Sequence, residues 1–424
     1  MNKKAFFSLA CGLGALLLQS CDMADLAVIV HDISTAEEFF GMSANKKYRL
    51  TADIDLQGQA WTPIKIADLD GNGHSIRNFR VAETVEHGKM SPINVDYGFF
   101  TSANSIHDVT FSDFAMNIQA LDADLTFGAV AGNVNKMFDV TVENGTIAIV
   151  STKYDVMASC CVGFASDYLS GITVRNVSLT ASGNESVSAS GILSTSIGLG
   201  KYSEDLLSEN NNITAQGYGA SAYGIGWSVK YESNTGIVSC NNTIVAASKR
   251  ASLSEYAAGV GNVIGSQAVV SRGNTVEAKS VSGIGGCDDS TDLLSIGNKL
   301  ISNGTDEDYA CGVSKSIDGC KRIMSIDNAF EGEAVSYGIS ETFESPINGA
   351  VSKGMSASGD LFCEKADSST YFRDCYIGPD SDGPNVNEIP SIDLVGYRSL
   401  IDTLSLNPEI WKIGEDGEYA LTVE

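Results

Sequence analysis

Residues 210–244 read NNNITAQGYGASAYGIGWSVKYESNTGIVSCNNTI. The stretch opens on Asn210-Asn211-Asn212-Ile213 and closes on Asn241-Asn242-Thr243-Ile244, with a Tyr223-Gly224 step between. Short β-branched and apolar runs separated by Gly and Asn fill the interval, and no helical period runs through them. Asn tolerates the left-handed turn conformation and can stack its amide on that of a neighbouring coil. A segment that starts and ends on one turn signature reads as a single coil of a repeating β structure.

The same two signals recur on either side. A residue followed by Gly and an apolar residue appears at Tyr97-Gly98, Phe127-Gly128, Ser190-Gly191, Tyr223-Gly224, Ala258-Gly259, Ser282-Gly283, Cys311-Gly312 and Tyr337-Gly338. Cys160-Cys161 fits this column with Cys161 in the Gly place, and successive spacings run from 24 to 35 residues. The asparagine column recurs at Asn144, Asn176, Asn210 and Asn241, with shortened versions at Asn274, Asn298 and Asn328. Coils of constant cross-section with loops of variable length explain both columns. The expected fold is all-β, a right-handed parallel β-helix over residues 48–375. A sandwich or propeller would need hairpin signals and closely spaced strand pairs.

Composition agrees. The 424 residues hold 43 Gly and 7 Pro, a hydrophobic fraction of 43% and a charged fraction of 19%, below the globular average of about 25%. Lys plus Arg number 27 against 53 Asp plus Glu, a net charge of −26. Such a surface repels phosphate backbones, which argues against a nucleic-acid partner.

Upstream, Ser34-Thr35-Ala36-Glu37 reads as a capping box opening a short helix through Phe40, expected to cover the first coil. Then come Tyr48-Arg49-Leu50-Thr51-Ala52-Asp53-Ile54-Asp55-Leu56, Trp61-Thr62-Pro63-Ile64, Asp70-Gly71-Asn72-Gly73-His74 followed by Ile76 and Asn78, and Gly98-Phe99-Phe100. This order resembles the GLUG-motif class of bacterial surface β-helix proteins, many from gut Bacteroidetes, over residues 30–115. The resemblance implies a β-helix and little about activity, since the class includes adhesin-like modules and regions flanking proteases. Residues 376–392 break the pattern with Gly378-Pro379, Asp382-Gly383-Pro384 and Pro390. Beyond them, helically spaced apolar residues from Leu394 to Leu406 precede Trp411-Lys412-Ile413 and Tyr419-Ala420-Leu421. Residues 376–424 are therefore expected to form a linker and a C-terminal helical cap.

The N-terminus reads as an address. Asn2, Lys3 and Lys4 precede an apolar run from Phe6 to Leu18, too short for a bilayer span of about 20 residues. Leu18-Gln19-Ser20-Cys21 resembles the lipobox of bacterial lipoproteins. The resemblance implies a signal peptide over residues 1–20, an anchor segment and N-terminal cap over 21–47, and lipidation at Cys21. Two or three acyl chains give durable anchoring where one is marginal. Asp22 and Asp25 suit surface export in Bacteroidetes, so the expected location is the outer membrane, facing outward.

Candidate chemistry is sparse. The body cysteines Cys160, Cys161, Cys240, Cys287, Cys311, Cys320, Cys363 and Cys375 form no C-x-x-C pair, and buried thiols are expected. Cys363 and Cys375 could alternatively close a loop. Cys287-Asp288-Asp289 is the sole Asp pair on a coil, as catalytic carboxylates of a glycoside hydrolase would require. Lys230, Lys249, Arg250 and Arg272 could each act as the base of a polysaccharide lyase. Calcium could be held at Asp68-Leu69-Asp70-Gly71-Asn72 or Asp380-Ser381-Asp382-Gly383, although neither fits the EF-hand spacing. Asp289-Ser290-Thr291 and Asp402-Thr403-Leu404 resemble Bacteroidetes O-glycosylation acceptors. Tyr218, Tyr223, Trp227 and Tyr231 crowd one coil, and aromatic faces can stack on sugar rings. Tyr218, Trp227 and Tyr231 are the expected ligand-binding residues, with Tyr223 turned inward. The expected function is a non-catalytic, lipid-anchored module that binds a glycan or a surface protein. A polysaccharide-degrading lipoprotein and a structural component of the envelope remain as alternatives.

Overall fold

A coil that stacks in parallel on its neighbours satisfies its backbone donors and acceptors from above and below, while its side chains alternate between core and solvent. A computed structural model has this arrangement. It describes residues 29–85, 95–195, 202–249 and 254–343 except 306 and 327. Short strands between 347 and 377, and Trp411–Ile413 with Tyr419–Leu421, complete the described set. Parallel pairing runs without interruption from Val30–Ile33 on Lys47–Leu50 through Asp68–Arg77, Val95–Ala120, Leu125–Ser151 and Val162–Arg175. It continues through Tyr202–Glu209, Gly226–Cys240, Gly261–Arg272, Thr291–Ile296, Lys321–Ile326 and Ile347–Lys353. The protein is an all-β parallel solenoid, and its ladder starts at Val30, ahead of residue 48. Among the described residues the one antiparallel pair joins Trp411–Ile413 to Tyr419–Leu421. The helix expected over 394–406 lies outside the described residues.

The motif residues of the first coils are core and corner devices. The short helix is Ala36–Phe40, where Thr35 Oγ1 accepts from the Glu38 amide at 3.2 Å and the Glu38 carboxylate accepts from the Ser34 amide at 2.8 Å. Its Phe39 packs on Trp61 and Phe99, with ring centroids 5.0 and 5.9 Å away. Trp61 Nε1 donates to the Phe99 carbonyl at 2.7 Å, giving the buried indole its partner. Asp55 accepts from the Gln57 amide and from Asn78 Nδ2 at 2.8 and 3.0 Å, which fixes the corner at Asn78.

Three stacked columns build the core behind these corners. One inward column runs Ile54, Ile76, Phe111, Val142, Val174, then Ser208, Ser239, Ser271, Ser295 and Ser325. Where it turns to serine, the residue three positions later becomes asparagine: Asn211, Asn242, Asn274, Asn298 and Asn328. The strand facing each serine presents glycine, at Gly191, Gly224, Gly259, Gly283 and Gly312. A Cβ on Gly224 would stand 2.2 Å from Ser239 Oγ and clash with the Gly259 carbonyl, so the close approach admits glycine alone.

The asparagines form a buried ladder. Asn242 Nδ2 donates to the Ser208 carbonyl at 2.9 Å and to Ser239 Oγ at 3.0 Å, and its Oδ1 accepts from the Asn211 amide at 2.8 Å. Asn274 repeats this with Ser239 O, Ser271 Oγ and the Asn242 amide. Asn298 repeats it again with Ser271 O, Ser295 Oγ and the Asn274 amide. Each amide side chain thereby satisfies backbone groups that the turning chain withdraws from the sheet. In the earlier coils the corner position instead holds Phe79 and Phe114, stacked at 5.1 Å and 4°, then Gly145 and Val177.

Two expectations need correcting. Asn144, Asn176, Asn210 and Asn241 are not the ladder; they are the residues just before it, all with positive φ between 52° and 54°. Gly273 and Gly297 take that left-handed place in the shortened coils, so Asn274 and Asn298 belong to the neighbouring column. The glycine column is also offset by one residue at its start. Gly98 and Gly128 pair in register with Ser159, hence with Ser190 and Tyr223, and it is Cys160, not Cys161, that stands where Gly191 does.

Cys160, Cys161, Cys240, Cys287, Cys311 and Cys320 are free and buried, as expected, whereas Cys363 and Cys375 lie outside the described residues. Burial raises every one of these thiols, Cys240 to about 11 and Cys320 to about 12. The native chain at pH 8 should therefore leave all six unreacted with a thiol reagent over minutes, and release them on denaturation. The ladder gives a sharper expectation. Asn274→Ala orphans the Asn242 amide and the Ser239 carbonyl and should cost about 3–5 kcal/mol in urea unfolding. Exposed Asn176→Ala should cost only about 1 kcal/mol, the strain of alanine at positive φ.

Candidate functional site

The strands that lead into the corner at Asp108, Asp139, Gly171 and Asp205 present one outward face. These four residues stack in register, and each has a φ between 51° and 59°. The tight corner turns the residues immediately before it outward. Asp70, His107 and Phe138 are stacked partners on successive coils. His107 lies flat on Phe138, with centroids 4.5 Å apart and planes at 3°, and Phe138 meets Tyr168 at 6.4 Å. The three rings are partly exposed, a stripe of aromatic surface crossing three coils.

Carboxylates border this stripe. His107 Nδ1 sits 2.9 Å from Asp108 Oδ2 and 3.7 Å from Asp70 Oδ1. Tyr168 Oη donates to Glu204 Oε1 at 2.9 Å. Against an acidifying hydrogen bond from Ser170, burial and Glu204 hold the Tyr168 phenol above its ordinary value, so it remains a donor at neutral pH. Burial, then the charges of Glu204 and Asp139, raise Asp205 as well. Lys136 and Asp167, 3.5 Å apart, close the edge. The arrangement suits a hydroxylated ligand whose apolar side packs on the outward ring edges while its hydroxyls donate to carboxylates.

Asp70, His107 and Asp108 each offer a ligand atom within 4.8 Å of one another. An imidazole with two carboxylates fits a transition-metal ion better than calcium, which prefers oxygen donors. Asp68, the other acid of the proposed calcium stretch, pairs instead with Lys47 at 2.5 Å and accepts from Asn104. The stretch at Asp380 lies outside the described residues.

The residues singled out from sequence are dispersed. Tyr218 is 39% exposed between the strands Asn212–Gly217 and Gly219–Tyr223, and Trp227 is 46% exposed on Gly226–Cys240. A corner at Gly224 and Ile225 separates them. Tyr223 is buried as expected and contacts Tyr256 at 6.0 Å. The side chains of Tyr231 and Lys230, and all of Cys21, Arg250 and Asp402, lie outside the described residues. Lys249 donates to Asn184 Oδ1 at 3.1 Å, and Arg272 lies beside Cys240. Ser290 is fully buried and accepts from the Ser266 amide, a position unsuited to glycosylation. Asp288 and Asp289 are exposed, and Asp288 stacks in register on Asp318 of the next coil.

His107, Phe138 and Tyr168 carry no motif. Their signal is a spacing of about one coil, which has meaning only once the register is known. No family model matches the chain, and no curated protein matches it. The GLUG resemblance therefore stands on the quoted residues alone. One solved structure aligns over 92% of this chain and 91% of its own, at 14% identity and a TM-score of 0.30. It is a crystal structure from Bacteroides ovatus provisionally designated an immunoglobulin A1 protease, and at that score it carries no argument about activity.

Proposed function

We propose that this chain is a non-catalytic, glycan-binding or adhesin-like solenoid held on the outer face of a bacterial outer membrane by acyl chains on Cys21. The lipobox-like Leu18-Gln19-Ser20-Cys21 supports the anchor. The ligand assignment rests on one observation, the aromatic stripe of His107, Phe138 and Tyr168 set among Asp70, Asp108 and Glu204. Such a face binds a sugar polymer by apolar contact with the ring edges and by carboxylate acceptance, and its length along the solenoid suits a chain rather than a single residue.

Native affinity electrophoresis tests it, with gels cast in plant, host and bacterial polysaccharides, with and without calcium. Retarded migration is expected with at least one polymer. Phe138→Ala and Tyr168→Ala should each weaken retention about tenfold, the effect of losing one aromatic ring from the contact. Trp227→Ala should leave it unchanged if the stripe is the site. No retardation with any polymer would remove the glycan reading. A cleared zone in the stained polymer would replace it with a degrading enzyme, for which the stacked Asp288 and Asp318 are the first residues to substitute.

A further inference from the structure

Across five of the described coils an outward face carries no charge. Residues 115–119, 146–150, 178–182, 212–216 and 243–247 stack in register on five successive coils and contain no Asp, Glu, Lys or Arg. Their side chains alternate strictly, apolar residues inward and Thr, Ser, Ala, Asn, Gln or Val outward. Val150, 48% exposed, is among the few large apolar side chains left to water. It borders a shallow groove of about 440 Å³ with Asn117, Gln119 and Ala148, which is closed on the side of the preceding coil by Ala82, Glu83 and Thr84. Charge returns at every border. Arg80 and Glu83 pair with Ala115 and Ile118 at one end and Glu277 with Val245 at the other, while the Glu143–Arg175 ion pair at 2.7 Å flanks one edge.

We propose that this face docks a second copy of the same chain, sheet against sheet. Two copies each carrying −26 repel over most of their surfaces, and this is a face on which they can approach without opposing like charges. Small and β-branched outward residues let two sheets interdigitate at about 10 Å separation. A twofold axis through the central coil Ser178–Ser182 sets Thr180 against its own counterpart. Five coils at about 4.8 Å and three outward positions at about 6.8 Å give roughly 500 Å² per copy, or about 1,000 Å² in all. That lies below the usual range of stable interfaces, about 1,200–2,000 Å², and implies a dimer weaker than micromolar.

Sedimentation velocity of the full chain, up to about 200 µM, tests this. A reversible dimer is expected, and its affinity should rise several-fold from about 20 to about 500 mM NaCl as the general repulsion is screened. Ala148→Glu with Thr214→Glu should abolish it while circular dichroism stays unchanged. Thr180→Cys should give an interchain disulfide under mild oxidation, a readout that does not depend on the glutamate variant folding. A monomer at both salt concentrations, or a dimer that the glutamates spare, would overturn the proposal. So would a dimer that weakens with salt. Retardation by a neutral polysaccharide lost on the same glutamate pair, without dimer formation, would assign the face to a glycan instead. Because the face shares no residue with the aromatic stripe, loss of either result leaves the other standing.

Discussion

A chain that turns a corner inside a protein must withdraw several peptide groups from the sheet, and each one buried without a partner costs about 1–3 kcal/mol. The solenoid meets this demand on coil after coil by spending a side chain on it. From Asn211 onward one amide per coil donates to a carbonyl of the coil before and accepts from that coil's backbone amide. Only a residue with a donor and an acceptor on one short rigid arm can serve. The serine three positions earlier takes the second amide proton, and the glycine across from it makes room for the hydroxyl. Gly, Ser and Asn thus form one device, which explains why they change together.

The same constraint is met differently nearer the N-terminus. There the corner column holds Phe79 and Phe114, and the facing positions hold Phe99, Ala129 and Cys160 instead of glycine. Rings and aliphatic groups fill the space, so stability comes from apolar burial and the corner is covered rather than bridged. The aromatic stripe of the candidate site lies on this apolar-cored part. Its outward rings are held by strands whose inward neighbours, Ile106, Met137 and Leu169, are fully buried.

Much of the architecture was legible in the sequence because the repeating signals are turn residues, whose chemistry is local. The register was harder. Asn210-Asn211 and Asn241-Asn242 place two columns side by side, and without the structure the left-handed residue and the buried one look alike. The pattern Ser-x-x-Asn at Ser208, Ser239, Ser271, Ser295 and Ser325 would have separated them, since only the buried asparagine keeps a serine three residues before it. The glycine slip at Gly98 and Gly128 has a similar cause, because large residues replace the small ones there and the column must be followed through pairing. The proposed binding residues were least legible. Tyr218 to Tyr231 are close in sequence yet distributed around a corner, whereas His107, Phe138 and Tyr168 are distant in sequence and adjacent in space.

The Gly-Ser-Asn device has a property that the apolar coils lack: it is complementary to a copy of itself. A coil that carries the set can sit above or below any other such coil with the same contacts. Phe99, Ala129 and Cys160, by contrast, are each shaped for one particular neighbour. Gain or loss of a whole coil is therefore structurally inexpensive in the C-terminal part and disruptive in the N-terminal part. Length is a free variable at one end of this molecule, and relatives built on the same plan should differ in reach there while keeping the opening coils constant.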